Sequence, residues 1–99
     1  AAVERTEASA RAEQSMWRAA LEAAARRVQR LDGELVPKAR DAVKAAEFAR
    51  QQGALSLQDV LDTRRLAHAA ELDAAQAHAD HAKALAALTL TSNTPVVTP

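Results

Sequence analysis

Gln51-Gln52-Gly53-Ala54-Leu55-Ser56-Leu57-Gln58-Asp59-Val60-Leu61-Asp62 lies between two long alanine-rich stretches, and its reading decides how they are arranged. Gly53 can take the left-handed conformation that closes a helix. Ser56-Leu57-Gln58-Asp59 has the spacing of a capping box, with Ser56 as N-cap and Asp59 at the third helical position. A helix that stops at Gly53 and another that starts near Leu57 have only a short turn between them. The tip therefore predicts an antiparallel helical hairpin turning over residues 53–56. Asp62 follows one helical turn later, in reach of Arg64 or Arg65 and still favoured by the helix dipole. Leu55, Leu57, Val60 and Leu61 are expected to close the end.

Working outward, the flanking stretches are poor in bulky side chains. The chain of 99 residues holds 27 alanines, and its only aromatic residues are Trp17 and Phe48. Alanine buries little area, so a thick globular core is excluded. Close helix–helix contact over a long seam is not. In the first arm, Trp17, Leu21, Ala24, Val28, Leu31, Leu35, Ala39, Ala42, Ala46 and Ala49 recur in alternating steps of four and three, with one doubled four at Leu31–Leu35–Ala39. In the second arm, Leu57, Leu61, Arg64, His68, Leu72, Ala75, Ala79, Ala82 and Ala86 do the same, with the doubled step at Arg64–His68–Leu72. This is coiled-coil spacing with one stutter per arm. The fold class is all-α: a long hairpin over residues 1–90, expected to self-associate into a bundle.

The first helix is expected over 3–52 and the second over 57–90, about 75 and 50 Å at ~1.5 Å per residue. Asp32-Gly33 and Pro37 interrupt the first. A proline inside a helix costs ~3 kcal/mol and restricts the residue before it, so the arm is either kinked or broken at 32–37. Folding back from the tip, the second arm reaches only to about Ala19. Residues 1–18, with Met16 and Trp17, should then project, to be covered by a second copy or a further segment. The Thr/Ser/Pro-rich stretch 91–99 reads as an extended or disordered tail.

Formal net charge is zero, which gives no reason to expect nucleic acid as a partner. Residues 1–52 carry ten Lys/Arg and eight Asp/Glu, and residues 53–99 carry three and five. The arms are thus net +2 and −2, which suits two helices lying side by side. There is no cysteine, hence no disulfide or thiolate chemistry. No apolar run approaches the ~18 residues of a membrane helix, and the chain is expected to be soluble by itself. No catalytic constellation stands out, and Ser56 is already committed as a cap; no enzyme activity is expected, and no cofactor.

Capping needs one carboxylate at the tip, yet Asp59 and Asp62 supply two. Arranged in a ring of several hairpins, such acids would surround an opening and select for cations. The run Phe48-Ala49-Arg50-Gln51-Gln52-Gly53-Ala54-Leu55-Ser56-Leu57-Gln58-Asp59-Val60-Leu61-Asp62-Thr63-Arg64-Arg65 resembles a signature of the outer-membrane efflux protein family. That family comprises TolC-like ducts, and the likeness is greatest to its CzcC/CusC-like heavy-metal efflux members. The family's second hairpin carries tyrosine-x-x-glycine followed by serine-leucine-x-aspartate-valine-leucine-aspartate-alanine-glutamine-arginine. Gly53, Ser56, Leu57, Asp59, Val60, Leu61, Asp62 and Arg65 match it; Arg50 replaces the tyrosine, and Thr63-Arg64 the alanine-glutamine. Glu34-Leu35-Val36-Pro37-Lys38-Ala39 resembles the leucine-proline-x-alanine segment upstream in metal-efflux relatives.

The resemblance implies the periplasmic C-terminal hairpin of a trimeric α-barrel duct in a tripartite export system. Gly53, Ala54, Leu55 and Ser56 would dock a periplasmic adaptor (membrane fusion) protein, with the inner-membrane pump engaged indirectly. Asp59, Asp62 and Arg65 would stand at the entrance. Two other readings remain open: a coiled-coil interaction module such as an adaptor's own hairpin, and a small helical metal-binding protein. The last rests on His78 and His81, an H-x-x-H pair that offers weak metal candidates, since two ligands fall short of the four a structural site takes.

Overall fold

The computed structural model describes residues 6–93. Thr6 opens the first helix as N-cap: its Oγ1 accepts the N–H of Ser9 at 3.1 Å, satisfying one of the donors a helix start leaves orphaned. From it run α1 (Glu7–Arg30), a five-residue π turn (Leu31–Leu35) and α2 (Val36–Gln51). The chain then reverses, and α3 (Leu57–Asn93) returns along the whole. The result is a helical hairpin with extents of 74 × 24 × 14 Å, and the described residues include no strand. The start expected at residue 3 lies outside the described residues, as does the tail from 94 onward.

The first arm is not broken at 32–37. Val36 donates its N–H to the carbonyl of Leu31, five residues back, so the chain widens by one residue and continues as helix. Pro37 then falls in the first turn of α2, where its missing N–H and fixed φ are tolerated. Val36 keeps helical angles (φ −65°, ψ −48°) although it precedes the proline. Burial holds it there: Leu31 and Val36 form one cluster with Ala74 and Ala77 of α3, with Val28 and Ala70 packed at its edge.

The π turn also corrects the expected seam. Ala10, Trp17, Leu21, Ala24, Val28 and Leu31 are buried or half-buried at steps of seven, four, three, four and three. The next buried position is Val36, a step of five, followed by Ala39, Val43 and Ala46. Leu35, assigned to the seam by spacing, is 50% exposed, and Ala42 is exposed in favour of Val43.

The second arm needs a larger correction. Val60, Ala67, Ala74, Ala77, Ala84 and Thr91 are buried, with Thr63, Ala70, His81 and Leu88 half-buried between them. Those positions follow an uninterrupted three–four alternation with no stutter. The stripe expected to face the first arm is displaced to the outside: Leu57, Arg64, His68, Leu72, Ala75, Ala79, Ala82 and Ala86 are exposed, and only Leu61 is half-buried. Both stripes are alanine-rich, interrupted by a few polar residues, and recur in steps of three and four, so spacing could not choose between them.

The helical part also runs past residue 90. The hydroxyls of Thr89, Thr91 and Ser92 donate to the carbonyls of Leu85, Ala87 and Leu88 at 2.9, 2.8 and 3.0 Å. Each bond goes four residues back and keeps the side chain within the helix, so a stretch read as tail is the last turn of α3. At the same end Ala10, expected in the projecting segment, is 4% exposed.

Across the arms, Arg27 pairs with Asp73 and Asp80, and the Arg40 Nε donates to Glu71 at 3.0 Å. These run from the basic arm to the acidic one, as the charge asymmetry predicts. Arg64–Glu47 and His78–Asp32 run the other way. All are substantially exposed, so each contributes about 0–1 kcal/mol. Register is held chiefly by the seam.

Candidate functional site at the hairpin tip

The reversal is built by two interlocked caps. Gly53 has φ +78°, the left-handed conformation that only glycine adopts without a Cβ penalty. Its N–H donates to the Arg50 carbonyl at 2.9 Å, and that of Ala54 donates to Ala49 at 2.8 Å. This pair of bonds is a Schellman closure, which satisfies the last carbonyls of α2. On the other side, the Asp59 N–H donates to Ser56 Oγ at 3.2 Å, and that hydroxyl donates in turn to Asp59 Oδ2 at 2.9 Å. The carboxylate thus holds the capping hydroxyl rather than the serine backbone. Thr63 adds a bond to the Asp59 carbonyl at 2.9 Å.

Val60, 2% exposed, is the plug between the arms at this end. Leu55 and Leu61 are half-buried around it. Leu57, expected to help close the end, is instead 51% exposed, because the residue after an N-cap points away from a seam that begins at Val60. With Glu47, Arg50, Gln51, Gly53, Leu55 and Arg64 it lines a shallow groove across the tip.

The structure places the residues singled out at the tip close together and open to solvent. Gly53, Ala54, Ser56, Asp59, Asp62 and Arg65 are all exposed. Asp62 accepts from Gln58 Nε2 and from Arg65 at 3.0 Å each. Arg64 does not join them. It reaches back to Glu47 on α2, its Nε donating to Oε1 at 3.1 Å. The tip is therefore a rigid turn whose backbone needs are met internally. It presents two carboxylates, two guanidinium groups and an apolar Leu57. Phe48, one turn before the end of α2, is 63% exposed. Phe48 belongs to neither heptad stripe, so spacing gives no signal for it.

The histidines are separated in role. His78 shares a 2.6 Å contact with Asp32 across the arms, at the π turn, whereas His81 sits half-buried on the seam. Among the described residues no group of three or more His, Cys, Asp or Glu is arranged to hold a metal ion. No helix among them is long and apolar enough to cross a membrane.

Comparison with protein-family models, with curated proteins and with solved structures finds no match to this chain.

Proposed function

We propose that this hairpin is a periplasmic wall segment of an outer-membrane efflux duct, its tip docking a periplasmic adaptor protein. The observation that carries the reading is the tip itself. Both helix ends are capped within the turn, Asp59 holding the Ser56 hydroxyl, so Asp62, the exposed Leu57 and the groove beside it take no part in the capping. The eight tip residues that match the efflux signature include the cap residues Gly53 and Ser56 as well as the exposed pair Asp59 and Asp62. In a ring of such hairpins, Asp59 and Asp62 would form circles of negative charge at the entrance, with Arg65 moderating the second. Those circles would attract cations and repel anions. A heavy-metal cargo fits that charge, and in such a duct the chain is trimeric with its parent.

The chain lacks cysteine, which gives a direct test. Ala54→Cys and, as a mid-arm control, Ala69→Cys carry a short heterobifunctional cross-linker during co-expression with the adaptor of a tripartite exporter in a Gram-negative periplasm. Adducts to the adaptor's hairpin should form at position 54 and not at 69. Equal labelling at both positions, or none at 54, rejects the docking reading.

A further inference from the structure

Trp17 and Lys83 stand level across the arms: ten residues back from Arg27 is Trp17, and ten on from its partner Asp73 is Lys83. Between them the facing positions are alanines. Ala24, Ala77 and Ala84 are buried and Ala20 is half-buried, so the helices meet through methyl groups and no large side chain fills the angle between them. The result is a cleft of about 350 Å³, with Trp17 at one end and the Arg27–Asp80 pair at the other. Small-molecule sites take this form, at about 300–1,000 Å³ with mostly apolar walls and a few polar groups.

We propose that this cleft binds a small planar apolar molecule carrying one negative charge, an aryl sulfonate or aryl carboxylate by chemical class. The proposal does not depend on the duct reading. The indole is the large flat surface in the cleft, and aromatic rings pack on one another in offset or edge-to-face contact. The alanines beside it add apolar area that a ligand ring would take out of water.

The sign of the ligand's charge follows from which rim groups are already engaged. Asp80 accepts from Gln76 Nε2 at 2.9 Å through Oδ1, and its Oδ2 lies 3.5 Å from Arg27 Nη1. Both oxygens are therefore in use, and a cation would have to displace one of these partners. Arg27 is likewise divided between Asp73 and Asp80. Two donors are left. Lys83 is exposed and enters none of the ion pairs among the described residues. The Trp17 indole N–H enters none of their hydrogen bonds. An ammonium and an indole N–H both donate and neither accepts, so the unengaged part of the rim matches an anion. An exposed ammonium is screened by salt, so the rings must supply most of the affinity and Lys83 the selectivity.

The test uses the protein's own reporter. Trp17 is the chain's single tryptophan and there is no tyrosine, so emission excited at ~295 nm comes from the cleft. The probe is 8-anilinonaphthalene-1-sulfonate, an aryl sulfonate that quenches tryptophan by accepting its emission. Titrated into the full chain, it should quench Trp17 along a saturable isotherm with one site by calorimetry. A Kd on the order of 10–100 µM is expected for a ligand of its size. Lys83→Gln should weaken binding at least fivefold and Lys83→Arg should restore it, whereas Lys38→Gln on α2 should leave it unchanged. Ala20→Leu, which fills the floor, should weaken it at least tenfold with helicity by circular dichroism unchanged. Phenyltrimethylammonium, of the opposite charge, should bind at least tenfold more weakly than the sulfonate. Quenching that does not saturate, a Kd indifferent to either Lys83→Gln or Ala20→Leu, or a preference for the cation would each overturn the proposal.

Discussion

Leu31 and Val36 are five residues apart, joined by the N–H of one to the carbonyl of the other, and both are buried in the same cluster on α3. In an α-helix that separation would carry the two side chains to different faces. The π turn brings them together and lets the first arm pass a proline without losing contact with its partner. A widened turn opposite a tight alanine seam is a local adjustment with a long-range effect, since it sets the phase of all of α2.

The two glycines should respond oppositely to alanine. A Cβ at Gly33 meets nothing within 4 Å and the residue has no positive φ, so Gly33→Ala should stabilise the hairpin by about 0.5–1 kcal/mol, as helix propensity dictates. Gly53→Ala also has room, but its φ of +78° should cost about 1–2 kcal/mol. Urea titrations of both variants followed at 222 nm will show the opposite signs.

The register of α3 can be checked by overpacking. Ala77 is fully buried, so Ala77→Leu must push the arms apart and should destabilise by about 1–3 kcal/mol. Ala79→Leu, two residues on and exposed, should change stability by under ~0.5 kcal/mol at concentrations where the chain is monomeric. If Ala79→Leu is the damaging one, the seam assignment is wrong.

Truncating the tip plug should separate fold from surface. Val60→Ala removes a side chain that is 2% exposed and should cost about 1–3 kcal/mol. Leu57→Ala, at a half-exposed position, should cost well under ~1 kcal/mol while weakening whatever docks in the tip groove. Thermal melts and adaptor cross-linking on the same samples distinguish the two effects.

The acid pair should matter to ions more than to folding. Ser56→Ala removes the cap and should cost ~1 kcal/mol. Asp59→Ala with Asp62→Ala leaves the hydroxyl cap in place and should cost no more than that. In the proposed duct, reconstituted in planar bilayers, the double variant should lose most of its block by divalent cations. Unchanged conductance and block in planar bilayers would remove the ring from the proposed function.

The tip was legible because every interaction that builds it is local. Gly53, Ser56 and Asp59 act on backbone groups at most four residues away, and residue type alone names their roles. The helical class and the reversal were legible for the same reason, as was the sense of the charge asymmetry realised by Arg27 and Arg40. The end of α3 was misread because threonine and serine serve a tail and a helical last turn equally well. Only their i−4 bonds tell the two apart.

What the linear chain determined by itself is therefore the hairpin and the chemistry displayed at its turn. Tertiary structure alone decided which of two alanine-rich stripes on α3 is the inside, and how the first arm passes Pro37. Two alanine-rich faces with the same three–four spacing are told apart only once a partner helix lies against one of them. A widened turn is favoured only when the residues it realigns, Leu31 and Val36, find Ala74 and Ala77 across the seam.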